Sequence, residues 1–240
     1  MTNDFRMSYF MPPIAPIKNE QGRIVTPATL IPSCEVSVEQ VFQMITCNEN
    51  LRILTEQVRN SGDIRTAKAS LLPYVTPCGT FSRRNSKCFV ASSHLVVVDI
   101  DHLDSYQEAV EMRSALFNDH LLHPVLTFIS PSGRGVKAFV PYNHLPMAND
   151  TNSIIENMKL AMMFTVLLYG TETPSPFGEK RKGVDFSGKD IVRSCFLSHD
   201  PGALFRNRNN QNYKLQIKIM DEIESLCRLC EAVETAGADI

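Results

Sequence analysis

Asp99 and Asp101 close an apolar run, Leu95-Val-Val-Val-Asp-Ile-Asp101, and their spacing is the first chemical signal in the chain. The β-branched residues predict a strand, and residues two apart in a strand point to one face. The carboxylates then stand side by side, roughly 6–7 Å apart along the strand. Two anions that close repel unless something positive lies between them, and a divalent metal is the usual answer. The competing reading is a strand end, where Asp caps the turn into the next helix. Against it, Val96–Val98 has the unbroken apolar character of a strand buried on both faces, a costly place for an uncompensated carboxylate. His102 and Asp104, just beyond, read as turn residues.

Ser130-Pro-Ser-Gly-Arg-Gly-Val-Lys137 is the second signal. Gly133 and Gly135 alone could serve only a turn. Ser132, Arg134 and Lys137 add a hydroxyl and two cations that a turn does not need, and both cations suit phosphate, one as a fork and one as a point charge. A third segment runs from Gly183 to Pro201. Asp185 offers a third carboxylate, with Asp200 the alternative, and Arg193 another cation within an expected strand, Ile191–Leu197. Ser198-His-Asp200 is not a hydrolase triad, because adjacent positions cannot supply that geometry. Residues 175–208 hold seven Lys/Arg against four Asp/Glu, an excess that fits phosphate contacts, although Lys180-Arg-Lys182 reads equally as a solvated loop. Arg83, Arg84 and Lys87, set in a loop with Phe81, form a smaller basic cluster that suits a polynucleotide backbone or stacking on a base, and equally reads as plain surface. Together these residues point to metal-assisted chemistry on a nucleotide.

Composition sets the frame. The chain has 240 residues, 43% hydrophobic and 21% charged, with net charge −2, so any nucleic-acid surface must be local. No stretch approaches the ~18 apolar residues of a membrane span, and the first residues lack the apolar core of a signal peptide. A cytoplasmic protein with no membrane partner is expected. Seven scattered cysteines fit reduced thiols better than a disulfide framework. Cys227 and Cys230 form a C-x-x-C in a helical pattern without the further ligands a zinc site needs.

The elements that must position these residues alternate between helix and strand, some antiparallel, which argues for α/β or α+β. Residues 1–20 read as irregular, with short strands at Arg23–Val25 and Thr29–Ile31. Ser37-Val-Glu-Gln40 reads as a capping box opening a helix, followed by helices over 48–60 and up to Lys68. Extended structure and turns follow over 71–94. Then come the Leu95–Ile100 strand, a helix over 105–117, and a hairpin of Val125–Ile129 with Val136–Val140. A long helix over 149–169 and an amphipathic helix over 215–236 complete the reading. It divides the chain into an N-terminal α/β cap (1–62) packed on the rest, a core (63–214) and a C-terminal helix (215–240).

The order of these motifs resembles the archaeo-eukaryotic primase, or prim-pol, superfamily. Within it the chain is similar to primase-like N-terminal domains of virulence-protein-E-like replication proteins of mobile elements. The resemblance runs from about Ile64 to Asn207. It rests on Lys68-Ala-Ser-Leu-Leu-Pro73, Gly79-Thr-Phe81, Val98-Asp-Ile-Asp101, Ser132-Gly-Arg-Gly-Val-Lys137 and Arg193-Ser-Cys-Phe-Leu-Ser-His-Asp-Pro201. It implies an RRM-like catalytic sheet flanked by helices, joining NTPs or dNTPs on a single-stranded DNA template with Mg²⁺ or Mn²⁺, and a possible helicase partner in trans. Carried over, Asp99, Asp101 and Asp185 are metal ligands and catalytic. Ser132, Gly133, Arg134, Gly135 and Lys137 hold the triphosphate, supported by Arg193. The chain departs from many members in carrying Lys137 where they have His. The rival readings are a catalytically silent nucleic-acid-binding module of the same fold and another metal-dependent nuclease or nucleotidyltransferase.

Overall fold

An antiparallel strand pairing at the centre of the chain and a second one at its N-terminus organise everything else. The computed structural model describes residues 5–142, 151–171 and 182–206. The first part carries β1 (Arg6–Phe10), β2 (Ile17–Lys18), β3 (Ile24–Thr26), β4 (Cys34–Ser37), α1 (Val38–Cys47), α2 (Glu49–Arg59) and α3 (Ile64–Leu71). β5 (Tyr74–Thr76), β6 (Gly79–Phe81), β7 (Phe89–Ser92), β8 (Leu95–Asp101), α4 (Tyr106–Phe117), β9 (Leu126–Ile129) and β10 (Val136–Pro141) follow. α5 (Thr151–Tyr169), β11 (Gly183–Val184), β12 (Cys195–Phe196) and β13 (Leu204–Phe205) complete the order, with a 3-10 helix at Phe186–Lys189 before β12. The class is α+β.

Local chemistry fixes the helix ends. The Ser37 hydroxyl accepts from the Gln40 N–H at 3.2 Å while Gln40 accepts from the Ser37 N–H at 2.8 Å, the capping box expected there. The Asn48 side chain caps α2 by accepting from the Leu51 N–H, and Ser105 caps α4 by accepting from the Glu108 N–H.

The central sheet runs β11-β8-β10-β9-β13, antiparallel throughout. Strand alternation divides its side chains between two layers. Val96, Val98, Ile100, Val136, Ala138 and Val140 share a core with α4 and α5. Leu95, Val97, Phe128 and Phe139 face the other way, into a core with Met7, Val41, Ile45, Leu51 and Val58. β8 is thus buried on both faces, as its unbroken apolar run implies. The second sheet, β12-β5-β1-β4, belongs to this N-terminal layer.

Three expectations need correction. Residues 1–20 are not irregular: β1 is an inner strand with Met7, Ser8 and Phe10 fully buried, pairing with β4 and β5. A five-residue strand buried on both sides shows no alternation, and the prolines after it mask the signal. Thr29–Ile31 forms no strand, because its backbone groups pair singly with separate turns, Thr29 N–H to Pro13 and Leu30 C=O to Arg84. The strand expected over Ile191–Leu197 is confined to Cys195–Phe196. Asp190 turns the chain instead, accepting from the N–H groups of Val192 at 3.0 Å and Arg193 at 2.8 Å, so Arg193 lies in a turn.

The long helix begins at Thr151; its expected first residues lie outside the described ones, as do Lys180, Arg181, Cys227, Cys230 and the 215–236 helix. No helix among the described residues is long and apolar enough to cross a membrane.

Candidate functional site

Asp99 and Asp101 share the β8 face of Leu95 and Val97, the face turned to the N-terminal layer. Asp99 lies opposite Lys137 of β10 in the strand register, and the Lys137 ammonium pairs with Asp99 Oδ2. Both are buried, 5% and 7% exposed, so water cannot replace either partner. Asp99 Oδ1 is buried and without a hydrogen-bond partner. A buried carboxylate oxygen left unsatisfied is costly.

The third carboxylate arrives from the other edge of β8. The Asp185 N–H donates to the Asp99 carbonyl at 2.9 Å. Gly188 lets the following 3-10 helix lie against β8, since a Cβ there would stand 2.3 Å from the Val97 carbonyl. The turn after that helix brings back Arg193, whose guanidinium pairs with Asp185 Oδ2 and lies 3.7 Å from Asp99 Oδ2. Asp200 is placed elsewhere. Buried, it grips Arg113 with both oxygens at 2.7 and 2.8 Å and accepts from the Ile129 N–H at 2.8 Å. The Gly202 N–H adds a fourth contact at 3.0 Å, and these leave Asp200 a structural carboxylate.

Gly135 backs Asp101. A Cβ at Gly135 would fall 2.5 Å from Asp101 Oδ1 and 2.9 Å from Ser130 Oγ, so only glycine fits. Ser130 and Ser132 share a hydrogen bond at 3.0 Å, and Gly133 takes the left-handed φ of +74° that the turn requires. Arg134 turns away from the carboxylates: its exposed side chain donates through Nε to the Leu103 carbonyl at 2.9 Å. The hairpin therefore brings Lys137, Gly135 and the serine pair to the site, and leaves Arg134 pinning the exit of β8.

Charge compensation shapes the titration of the cluster. Burial, with Asp99 adding to it, pushes the Asp101 carboxyl above the usual range, Lys137 and Lys68 only partly opposing. Burial pulls the Lys137 ammonium down, but Asp99 outweighs that and holds it above its ordinary value. Burial also pushes Asp185 up, and the Ser187 N–H together with Arg193 reverses it, leaving the carboxyl below the usual range. Cys195, buried beside Lys137, has its thiol pushed up to about 12, chiefly by burial. It is a neutral wall.

Two cations and a thiol were not singled out by sequence reasoning. Lys68 of α3 feels the charges of Lys137, Asp101, Asp99 and Arg193. Arg59 of α2 donates to the Pro131 carbonyl at 3.3 Å and lies over the Tyr106 ring at 5.7 Å. Lys68, Arg59 and Cys195 are distant in sequence from the D-x-D strand, and although Lys68 and Cys195 lie in segments that carry the resemblance, no local chemistry gave them a role in the site. Of the smaller basic cluster, Arg84 is tied to the Ile14 carbonyl at 2.8 Å and to the Tyr74 ring, and Phe81 is buried against Phe89, so no stacking platform forms. Lys182 pairs with Glu108 at the surface.

Among the described residues no group of three or more His, Cys, Asp or Glu is gathered to hold a metal ion. The fit is of another kind. Mg²⁺ is commonly held by one or two carboxylates with waters and substrate phosphates rather than by an all-protein cage. Asp99 Oδ1 and the adjacent Asp101 supply that minimal set. No curated protein and no solved structure matches this chain. A family model does match, over residues 66–205, which is 140 of the 240 residues and includes all three carboxylates; the chain belongs to the family described as BT4734-like, N-terminal domain.

Proposed function

We propose that the protein is a primase-polymerase-like enzyme that transfers nucleotidyl groups from NTP or dNTP on a single-stranded DNA template. The observation that carries this reading is the buried, unpartnered Oδ1 of Asp99 beside Asp101 at the end of β8. The motif order that resembles prim-pol proteins supports it.

Asp99 and Asp101 would hold Mg²⁺ or Mn²⁺, with Asp185 in support. A divalent ion bound there supplies Lewis acidity toward the attacking 3′-hydroxyl and offsets charge on the departing pyrophosphate. Lys137 pairs with Asp99 Oδ2 and holds it in place, which leaves Oδ1 for the ligand. Arg193 does the same for Asp185. The N-terminal layer covers the carboxylates and limits access of water, which strengthens every charge interaction in the site. A replicative helicase in trans is the partner this chemistry would serve.

One observation favours a second reading. Lys137, Arg193 and Lys68 match Asp99, Asp101 and Asp185 in number, so the cluster is neutral as it stands. A catalytically silent nucleic-acid-binding module would keep such a network for stability alone.

Incubating the protein with single-stranded DNA, labelled nucleotides and Mn²⁺ separates the readings. Template-dependent extension products are the expected result. Shortened DNA would identify a nuclease, and no product from folded protein would favour the silent module.

A further inference from the structure

α3 packs its Ile64, Ala67 and Leu71 side against the N-terminal core. Lys68 lies one helical turn from Ile64 and three residues from Leu71, so its stem follows the same side. Its ammonium arrives over the ring of Phe196, 5.9 Å from the centroid. Phe196 follows Cys195 on β12, and Cys195 lines the wall beside Lys137. Lys68 thus lies at the β12 end of the N-terminal sheet, near enough for the site's charges to act on it.

The other two site cations are committed, Lys137 to Asp99 and Arg193 to Asp185. Among the described residues no carboxylate lies within ion-pair distance of the Lys68 ammonium. The charged groups that act on it are Lys137, Asp101, Asp99 and Arg193, two of each sign, of which Asp99 is paired with Lys137 and Asp101 is outside ion-pair distance. A half-buried ammonium facing two fixed cations is destabilised unless an anion is supplied. Burial, then Lys137, accordingly draws its affinity for protons below the ordinary lysine value.

We propose that Lys68 grips the phosphate oxygens of the incoming nucleoside triphosphate, facing the carboxylates across the site. This deepens the nucleotidyl-transfer reading and rests on it. A triphosphate spanning the gap would place one end against Lys68 and present phosphate oxygens toward Asp99 and Asp101, where a divalent ion would be shared. Lysine suits this position as a point charge on a flexible stem, able to follow the phosphates as they change geometry.

The test is calorimetric titration of the full chain with Mn²⁺-ATP and with Mn²⁺ and inorganic triphosphate. Wild type, Lys68→Met, Lys68→Gln and Lys68→Arg are compared, each checked by thermal melting. Wild type is expected to bind both ligands. Lys68→Met and Lys68→Gln should weaken both by about 10- to 100-fold, the value of a charge-assisted contact, with Lys68→Arg recovering most of the loss. If wild type binds and the Met and Gln variants bind equally well, Lys68 is not the phosphate anchor and the reading of the site stands. A lower melting point with unchanged binding has the same meaning, and makes Lys68 a counter-charge to Asp101. If wild type binds neither ligand, the nucleotide reading itself falls.

Discussion

Asp99→Ala is expected to cost about 3–5 kcal/mol of folding stability, because it leaves the buried Lys137 ammonium without its partner. That is a large part of the roughly 5–15 kcal/mol that a domain possesses, so the variant should melt far below wild type or fail to fold. Lys137→Met should cost less, since Arg193 remains 3.7 Å from the abandoned Asp99 oxygen. The double variant Asp99→Ala/Lys137→Met should recover much of the loss, because an apolar pair needs no compensation. Urea unfolding of all four proteins measures the coupling. An Asp99→Ala variant within about 1 kcal/mol of wild type would mean that the pair is solvated and that the buried network is wrong. A practical consequence follows for activity work. Loss of function in Asp99→Ala reports unfolding as readily as chemistry, and Asp101 is the better residue to change.

Asp101→Asn should move activity and stability in opposite directions. Nucleotide incorporation should fall by about 100-fold or more, as expected when a group that organises charge in the transition state is removed. Stability at neutral pH should rise. The folded protein holds the Asp101 carboxyl above its usual range through burial and Asp99, so folding favours the protonated form. In the wild type this group contributes stability at low pH, and that contribution declines as pH rises from the unfolded value through the raised folded one. Asparagine mimics the protonated state at every pH. The stability difference between variant and wild type should therefore open as pH rises through that window and close toward acid. Asp185, held below the usual range by Ser187 and Arg193, runs the other way and loses its contribution as pH falls. Melting curves from acid to neutral pH read both trends. A destabilised Asp101→Asn at pH 7 would show that Asp101 serves the fold and is not maintained at its expense.

Much of the site was legible because its parts are local. The D-x-D spacing placed both carboxylates on one face and the Gly-rich segment marked the β9–β10 hairpin, whereas the pairing of β10 with β8 that sets Lys137 across from Asp99 is a long-range contact no local pattern announces. What could not be read was the third dimension. Lys137 reads from sequence as a phosphate ligand; its burial against Asp99 makes it first a counter-ion. Arg193 was expected in a strand, yet it works from a turn that Asp190 closes. Asp185 and Asp200 were equivalent in sequence, and only the long-range grip of Arg113 on Asp200 tells them apart. The fold shows the same division. α1, α2, α4 and the β9–β10 hairpin followed from caps and periodicity, whereas β1 and β4 exist because distant strands complete their backbone hydrogen bonds. Lys68 and Cys195 reach the site through that N-terminal sheet and the helix beside it, so the segments that hold them could be picked out in the sequence but their place beside the carboxylates could not.

The central claim is that Asp99 and Asp101 form the metal-holding end of a nucleotide site, and electron paramagnetic resonance of Mn²⁺ tests it without relying on turnover. Free Mn²⁺ is titrated against wild type and Asp101→Asn, each alone and with ATP. The expected result is one Mn²⁺ held by the wild type, more tightly with ATP, and an affinity lower by about tenfold or more in Asp101→Asn. Folded wild-type protein that leaves all the Mn²⁺ free in the presence of ATP, or Asp101→Asn that binds it equally well, would contradict the claim and make the carboxylates part of a purely structural ion network.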